Sequence, residues 1–555
     1  MFQLVKLNHL FINISLILVS LLLASLFLFY PYLKNRGNIK EFIKGNKERL
    51  VASILLLVGF ISRVAFLDLF PGGLNQDEAS AGYDAFAIMN WGIDRNGNKL
   101  PVHLVAWGSG QNALYSYVCI PFLFIFGVNE ISLRLPMALV GCVTLYLLYR
   151  LLNKKFDSKI AIIGLFILVI SPWHLMKSRW GLESNFFPNL VFIGFYFLIN
   201  YLDTKKIYHL IISSIILGVS SYSYGTSYFF LFFFVIIYCV YLLIRKSMKI
   251  VHSIIHISII GVICIPIILF LYINIFNKES ISLLCFTIPK LNVDRFQSVT
   301  NLFSDSFFES AKDNFKNGLN LLLTQYDNLP WNGIPQFGYM YLITLPFTIV
   351  GLFYQNKENK DLSNILRIWL VVSFLMLFIV SPNINRINII FIPIIIFSIF
   401  GIYEIILLSK KLERIILPTY LASFICFSIT YATTWNDKIK SNFFNGLGDS
   451  IQYAYKLKDV ENIYITSNVN MPYIFALYYT EFDVNEYIET VEYYNEGGAF
   501  ERVKSFSNFN FYLPSYIEEG NVYILKIDDN LYKNIDLSIY NTVEFGLYRV
   551  IDARK

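Results

Sequence analysis

Two carboxylates stand side by side at Asp77 and Glu78, after a Pro71-Gly72-Gly73 break and at the head of a helical pattern (Ala79, Gly82, Tyr83, Phe86, Met89). Two compatible roles follow. As helix chemistry, Asp77 caps the helix and Glu78 favours its positive end. As reaction chemistry, adjacent carboxylates at a partly dry surface form an acid/base pair, because desolvation raises a carboxyl pKa and makes a stronger base. Further along, His103, Gln111, Asn112 and Tyr115 are polar groups suited to a sugar or a phosphate. Arg134 opens the next apolar run, ahead of Pro136. It reads as an interfacial arginine or as a phosphate ligand, since a guanidinium fork matches phosphate oxygens.

A second cluster, SPWHLMKSRWGLESN (171–185), packs His174, Lys177, Arg179, Glu183 and Asn185 between two apolar runs. That is denser than a connector needs. His174 and Glu183 are compatible with a divalent metal, but two ligands nine apart form no ligand motif, and no other cofactor is implied. Tyr222, Tyr224 and Tyr228 read first as an aromatic belt, with sugar stacking as the alternative. Arg386, the lone charge in SPNINRIN, either anchors its helix or meets phosphate.

These groups need membrane helices to position them. Of 555 residues, 56% are hydrophobic and only 15% charged, so long stretches carry almost no charge. About 20 apolar residues cross a bilayer. Candidate spans run over 8–30, 50–67, 134–152, 158–175, 187–203, 207–221, 226–244, 250–275, 338–355, 364–381, 386–407 and 414–432. The first is longer than a signal-peptide core and reads as a retained helix. The net charge of +6 is uneven: residues 433–555 carry eleven Lys/Arg against eighteen Asp/Glu, so the rest holds +13. Lys34, Arg36, Lys40, Lys44, Lys47 and Arg49 fill the first loop. Lys154/Lys155, Lys205/Lys206, Arg245/Lys246/Lys249, Lys357/Lys360 and Lys410/Lys411/Arg414 mark every second loop after it. The positive-inside rule places these in the cytoplasm, which reads the basic total as topology and not as nucleic-acid binding. It also makes residues 113–127, about 15 long with Pro121 inside, a surface or re-entrant helix.

Large outward loops then cover 68–133 and 276–337, with 171–185 and 381–388 between spans. The expected organisation is a transmembrane domain over 1–432 and a soluble external α/β domain over 433–555. In the latter, strands NIYIT (462–466), FNFYL (509–513), NVYILKI (521–527) and TVEFGLYRV (542–550) interleave with helical patterns at 448–458 and 471–480. The six cysteines form no CxxC pair and read as small buried hydrophobes.

The DE pair followed by Gly82-Tyr83, the later Arg134-Leu135-Pro136 before a span, and SPWH…SR…E…N resemble bacterial members of glycosyltransferase family 39. These are relatives of protein O-mannosyltransferases and of the aminoarabinose transferases that modify lipid A. The resemblance is strongest over 50–200 and extends in topology to about 432. It implies a GT-C fold of about twelve transmembrane helices, a polyprenyl-phosphate sugar donor, and a lipid, glycan or protein acceptor in the envelope of a bacterial plasma membrane. It implies Asp77 as catalytic base with Glu78 beside it, Tyr83 in the same motif, and Arg134, with Arg179 and Arg386, on the donor phosphate. Where aminoarabinose transferases carry a lysine before a Pro-Pro pair, this chain reads GSGQNALY (108–115), so that contact does not carry over. The acidic tail does not match the inserted β-trefoil of the protein-modifying members.

The chemistry expected is displacement at the anomeric carbon: a base for the acceptor hydroxyl, cations for the leaving phosphate, and inversion. Two other classes fit a polytopic chain, a secondary transporter and a non-catalytic envelope-assembly protein. Transporters place ionisable or broken-helix sites near the bilayer midplane, whereas here the ionisable residues gather in loops and no inverted repeat shows.

Overall fold

The computed structural model describes residues 9–35, 45–283, 285–293, 307–354, 358–529, 532 and 536–554. Arg36, Lys40, Lys44, Lys357 and the stretch 294–306 of the third large loop lie outside them.

The chain opens with α1 (His9–Asn35), α2 (Lys47–Val64) and α3 (Gln76–Trp91), then a two-stranded ribbon, β1 (His103–Leu104) against β2 (Gln111–Asn112). There follow α4 (Leu114–Phe126), α5 (Glu130–Lys155), α6 (Ser158–Ile170), α7 (Pro172–Lys177), α8 (Glu183–Thr204), α9 (Ile207–Ser220), α10 (Ser227–Ile244) and α11 (Ile250–Ile275). A short ribbon, β3 (Ile281–Ser282) with β4 (Thr287–Ile288), precedes α12 (Phe307–Thr324), α13 (Thr344–Leu352), α14 (Lys360–Ile379), α15 (Ile384–Leu408) and α16 (Lys410–Asn442).

Among the described residues eight helices are long and apolar enough to cross a membrane: α1, α5, α8, α10, α11, α14, α15 and α16. The chain is a polytopic membrane protein. The other four expected spans fall on helices that are shorter or more charged. Lys47, Glu48, Arg49 and Arg63 interrupt α2, and the 158–175 segment breaks at Ser171, which caps α7 ahead of Pro172. The helix α9 has 14 residues and α13 only nine. A hydropathy window joins such helices to their apolar flanks and so overstates their length. Residues 113–127 form α4, whose 13 residues rise about 20 Å, short of a full crossing.

Where helices touch closely, glycine makes it possible. A Cβ on Gly351 of α13 would lie 1.7 Å from the Phe397 carbonyl oxygen, and one on Gly401 of α15 would lie 1.9 Å from that of Phe347. The two glycines therefore let the helix backbones touch.

After α16 come α17 (Leu447–Lys456), β5 (Ile463–Ile465), α18 (Pro472–Tyr479), α19 (Val484–Thr490), β6 (Glu492–Tyr493), β7 (Val503–Phe506), β8 (Phe509–Asn510), β9 (Val522–Lys526), β10 (Asn541–Phe545) and β11 (Tyr548–Asp552). The strands form one mixed sheet in the order β10-β11-β9-β5-β8-β7-β6, parallel on both sides of β5 and antiparallel elsewhere. The 542–550 pattern, read as one strand, is a hairpin turning at Gly546 and Leu547. The sheet region rests on α3: the Tyr478 ring packs under Gly82, and the Tyr83 hydroxyl donates to the Phe482 carbonyl at 3.0 Å.

Candidate active site

The helix α3 starts at Asn75, whose side chain accepts the Asp77 N–H at 2.9 Å, while Glu78 Oε2 accepts the Asn75 N–H at 3.1 Å. This capping box satisfies backbone donors that a helix start leaves unpaired. The cap is therefore Asn75, where the sequence suggested Asp77. Asp77 lies in the first turn, half-buried, where the helix dipole favours its negative charge.

Glu78 is fully buried and saturated. Its Oε1 accepts Arg134 Nε at 2.9 Å and the Gly181 N–H at 2.8 Å; its Oε2 accepts Arg134 Nη2 at 2.9 Å in addition to Asn75. Two oxygens with four donors leave no lone pair directed at a substrate. Arg134 is equally committed: its other N–H groups reach Leu67 O (2.7 Å), Pro71 O (2.6 Å) and Gly73 O (2.6 Å). All five donors end inside the protein, so the guanidinium expected on the donor phosphate instead holds the loop before α3.

Arg179 does the same, and Arg63 ties α2 to the end of α6. Arg179, buried, donates to Phe70 O, Ser62 O, Ala65 O and Phe66 O at 2.6–3.0 Å. Arg63, also buried, donates to Gly59 O, Leu168 O and Val169 O, and its Nη2 lies 2.9 Å from His174 Nδ1. The last carbonyls of a helix have no partner in their own helix, and arginines supply donors here, Arg179 to Ser62 in α2 and Arg63 to Val169 in α6. His174 is thereby drawn into this staple, not toward a metal or a sugar.

Other expected site residues are also structural. His103 is buried, stacks on Phe270 at 4.1 Å and contacts its neighbour's carbonyl, Leu104 O, at 3.0 Å; burial pushes its pKa down to about 4. Tyr83 is spent on Phe482, and Tyr115 donates to Leu133 O at 2.6 Å.

Of the remaining residues, Gln111 reaches the Asp77 turn. Gln111 Nε2 lies 3.4 Å from the Asp77 carbonyl, and its Oε1 accepts the Ser80 hydroxyl at 2.7 Å. Next to it, Asn112 Nδ2 donates to the Tyr228 hydroxyl at 2.9 Å; Glu183, half-buried, opens α8. One ribbon strand thus joins the Asp77 turn to the start of α10.

On the other side of α8's entry, Lys177 donates to Asn332 and, at 2.7 Å, to Asn385, with its ammonium 5.3 Å over the Trp180 ring. Burial pushes its pKa down to about 7 against the opposing pull of Asp327. Arg386, beside Asn385 in sequence, is half-buried and gives one bond, to Ser381 O at 3.0 Å. These two cations keep N–H groups that a phosphate could take. Among the described residues no three His, Cys, Asp or Glu gather as a metal-ligand group.

Sequence reasoning missed Asp84 and Arg95. Asp77, Ser80 and Asp84 share one face of α3 at spacings of three and four. Arg95 Nη2 donates to Ser80 at 2.7 Å and lies 3.8 Å from Asp84, and its guanidinium sits 4.6 Å over the Trp107 ring. Burial raises the Asp84 pKa, and Asp94 nearby is pushed up to about 7 by burial and then by Asp84. The 77/80/84 spacing was the available signal.

Residues 113–273 match the family model described as dolichyl-phosphate-mannose-protein mannosyltransferase. No curated protein sequence matches the chain. Among solved structures, ArnT from Cupriavidus metallidurans in the apo state aligns at 12% identity over 92% of this chain and 98% of that one, with a TM-score of 0.52. The same enzyme bound to undecaprenyl phosphate aligns at 12% identity over 90% and 97%, with a TM-score of 0.53. The resemblance to GT-C glycosyltransferases is borne out by the family match over 113–273, which takes in the RLP and SPWH motifs, and the fold resembles that of ArnT.

Proposed function

We propose that this protein transfers a sugar from a polyprenyl-phosphate donor to a cell-envelope acceptor at the outer face of a bacterial plasma membrane, with Asp77 as the base. The observation that carries this reading is the asymmetry of the carboxylate pair: Glu78 is buried and saturated, while Asp77 at the same helix start is half-exposed. Asp77 takes the proton of the acceptor hydroxyl as that oxygen bonds to the anomeric carbon. The bond from that carbon to the phosphate oxygen breaks, and the electron pair leaves with the phosphate, inverting the centre. Lys177 and Arg386 meet the charge that develops there. Glu78 and Arg134 are positioning residues that hold Asp77's turn.

Loop charges support the orientation, with the basic loops cytoplasmic and the 433–555 region external. The undecaprenyl phosphate in the ArnT structure supports a polyprenyl-phosphate donor. The test offers purified protein in nanodiscs a panel of radiolabelled polyprenyl-phosphate sugars and membrane acceptors. Transfer by wild type and its loss in Asp77→Asn is expected. Full turnover in the variant would remove Asp77 as base; no turnover by folded wild type with any donor would favour transport or assembly.

A further inference from the structure

A cavity of about 1140 Å³ opens between α1, α2 and α5, on a side of the bundle that contains none of the residues placed in transfer. Its walls are apolar: Leu16 and Leu23 from α1, Leu56 and Phe60 from α2, Leu139 and Val143 from α5. One end differs. There Phe27, Tyr146 and Tyr149 form an aromatic floor, with Phe27 5.6 Å from Tyr149 and 6.3 Å from Tyr146. Arg49 stands 4.7 Å over the Phe27 ring and Arg150 5.8 Å over the Tyr146 ring.

Charge at that end is unbalanced. Arg49 donates to the Phe27 carbonyl and Arg150 to the Tyr146 hydroxyl at 3.2 Å, but no carboxylate among the described residues forms an ion pair with either. Lys154 shares Asp203, at 2.9 Å, with Lys155, and Glu48 accepts from Ser158. Two guanidiniums beside aromatic rings at one end of an apolar slot are suited to a negatively charged head group with its chain in the slot.

The depth agrees. Tyr30 to Leu16, Arg49 to Val64 and Arg150 to Leu139 all line the cavity. At 1.5 Å per residue these segments rise about 16–22 Å, close to one bilayer leaflet of about 15 Å. We infer that the α1–α2–α5 groove binds an anionic phospholipid, its phosphate at Arg49 and Arg150 and an acyl chain along the apolar walls. On the orientation proposed above, this is a lipid of the cytoplasmic leaflet, and its binding does not depend on the transfer reaction.

Native mass spectrometry of the purified full-length protein tests it, with phosphatidylglycerol and phosphatidylcholine of identical chains added in turn, and undecaprenyl phosphate as competitor. Arg150→Gln removes an exposed cation, and Val143→Trp fills the groove from an exposed position; a thermal melt checks that each folds. Phosphatidylglycerol is expected to be retained about 10-fold or more over phosphatidylcholine by wild type, with the preference cut about fivefold by Arg150→Gln and retention of both lipids lost in Val143→Trp. Equal retention of the two lipids by wild type overturns the proposal without recourse to a variant. So does an undiminished preference in Arg150→Gln, and preferential retention of undecaprenyl phosphate would replace the phospholipid as occupant.

Discussion

Replacing Glu78 by glutamine separates a positioning carboxylate from a reacting one. The carboxylate receives four hydrogen bonds, two from the buried Arg134 guanidinium, one from Gly181 and one from Asn75. A glutamine amide keeps one accepting atom and turns the other into a donor, which faces N–H groups at either oxygen position. The Arg134 charge is left buried without its counter-ion, a loss of about 3–5 kcal/mol, and the capping box contributes about 1 kcal/mol of it. The assay is thermal unfolding of detergent-solubilised protein beside Asp77→Asn, whose half-exposed side chain should change stability by no more than about 0.5 kcal/mol. Glu78→Gln should melt far lower than Asp77→Asn or fail to accumulate. A Glu78→Gln protein as stable as wild type, yet as inactive as Asp77→Asn, would refute the division of roles.

Asp77→Asn itself should lower the transfer rate about 10²–10⁴-fold with an unchanged melting temperature. Lys177, with its pKa near 7, should lose its charge as pH rises above that value, so the KM for the phosphate donor should climb from pH 7 to 9 in wild type and be flat in Lys177→Gln. His103, held near 4 in the fold against 6.5 when unfolded, is protonated only in the unfolded chain between those values. Stability should therefore fall as pH drops through that window, by on the order of 3 kcal/mol in all, and His103→Gln should flatten the dependence seen in pH-dependent melts. Gly351→Ala should abolish accumulation of folded protein, because its methyl meets the Phe397 carbonyl at 1.7 Å, whereas alanine at the unobstructed Gly261 in α11 should be tolerated on the same expression and melting assay.

The membrane class, the helix behind the DE pair and the strands around 463–465 and 522–526 were legible in the sequence, because hydropathy, capping chemistry and β-alternation are local signals. The cap was assigned to Asp77 because Asp is a strong capping type, but Asn75 was equally qualified and two residues earlier. The Glu78–Arg134 pair could not be read locally: its members are 56 residues apart, and only packing of α5 against the α3 turn joins them. For the same reason Arg134 and Arg179 resembled phosphate ligands. An arginine in a loop looks alike whether its partners are a ligand or distant backbone carbonyls. The strand β6 has two residues and β7 sets two polar residues side by side between Val503 and Phe506, so neither alternates, and the polar stripe of Asp77, Ser80 and Asp84 lies on a helix otherwise rich in alanine and aromatics.

The grip of Arg134 and Arg179 is on carbonyl oxygens between Ser62 and Gly73, groups that every residue type carries alike. The approach to the DE pair is thus held largely by the path of its main chain. Changes to the exposed side chains of Phe66 and Leu69 should leave the reaction undisturbed, while inserting or deleting one residue would slide every carbonyl out of its fork. This stretch can vary where its side chains face outward and still be unable to change in length.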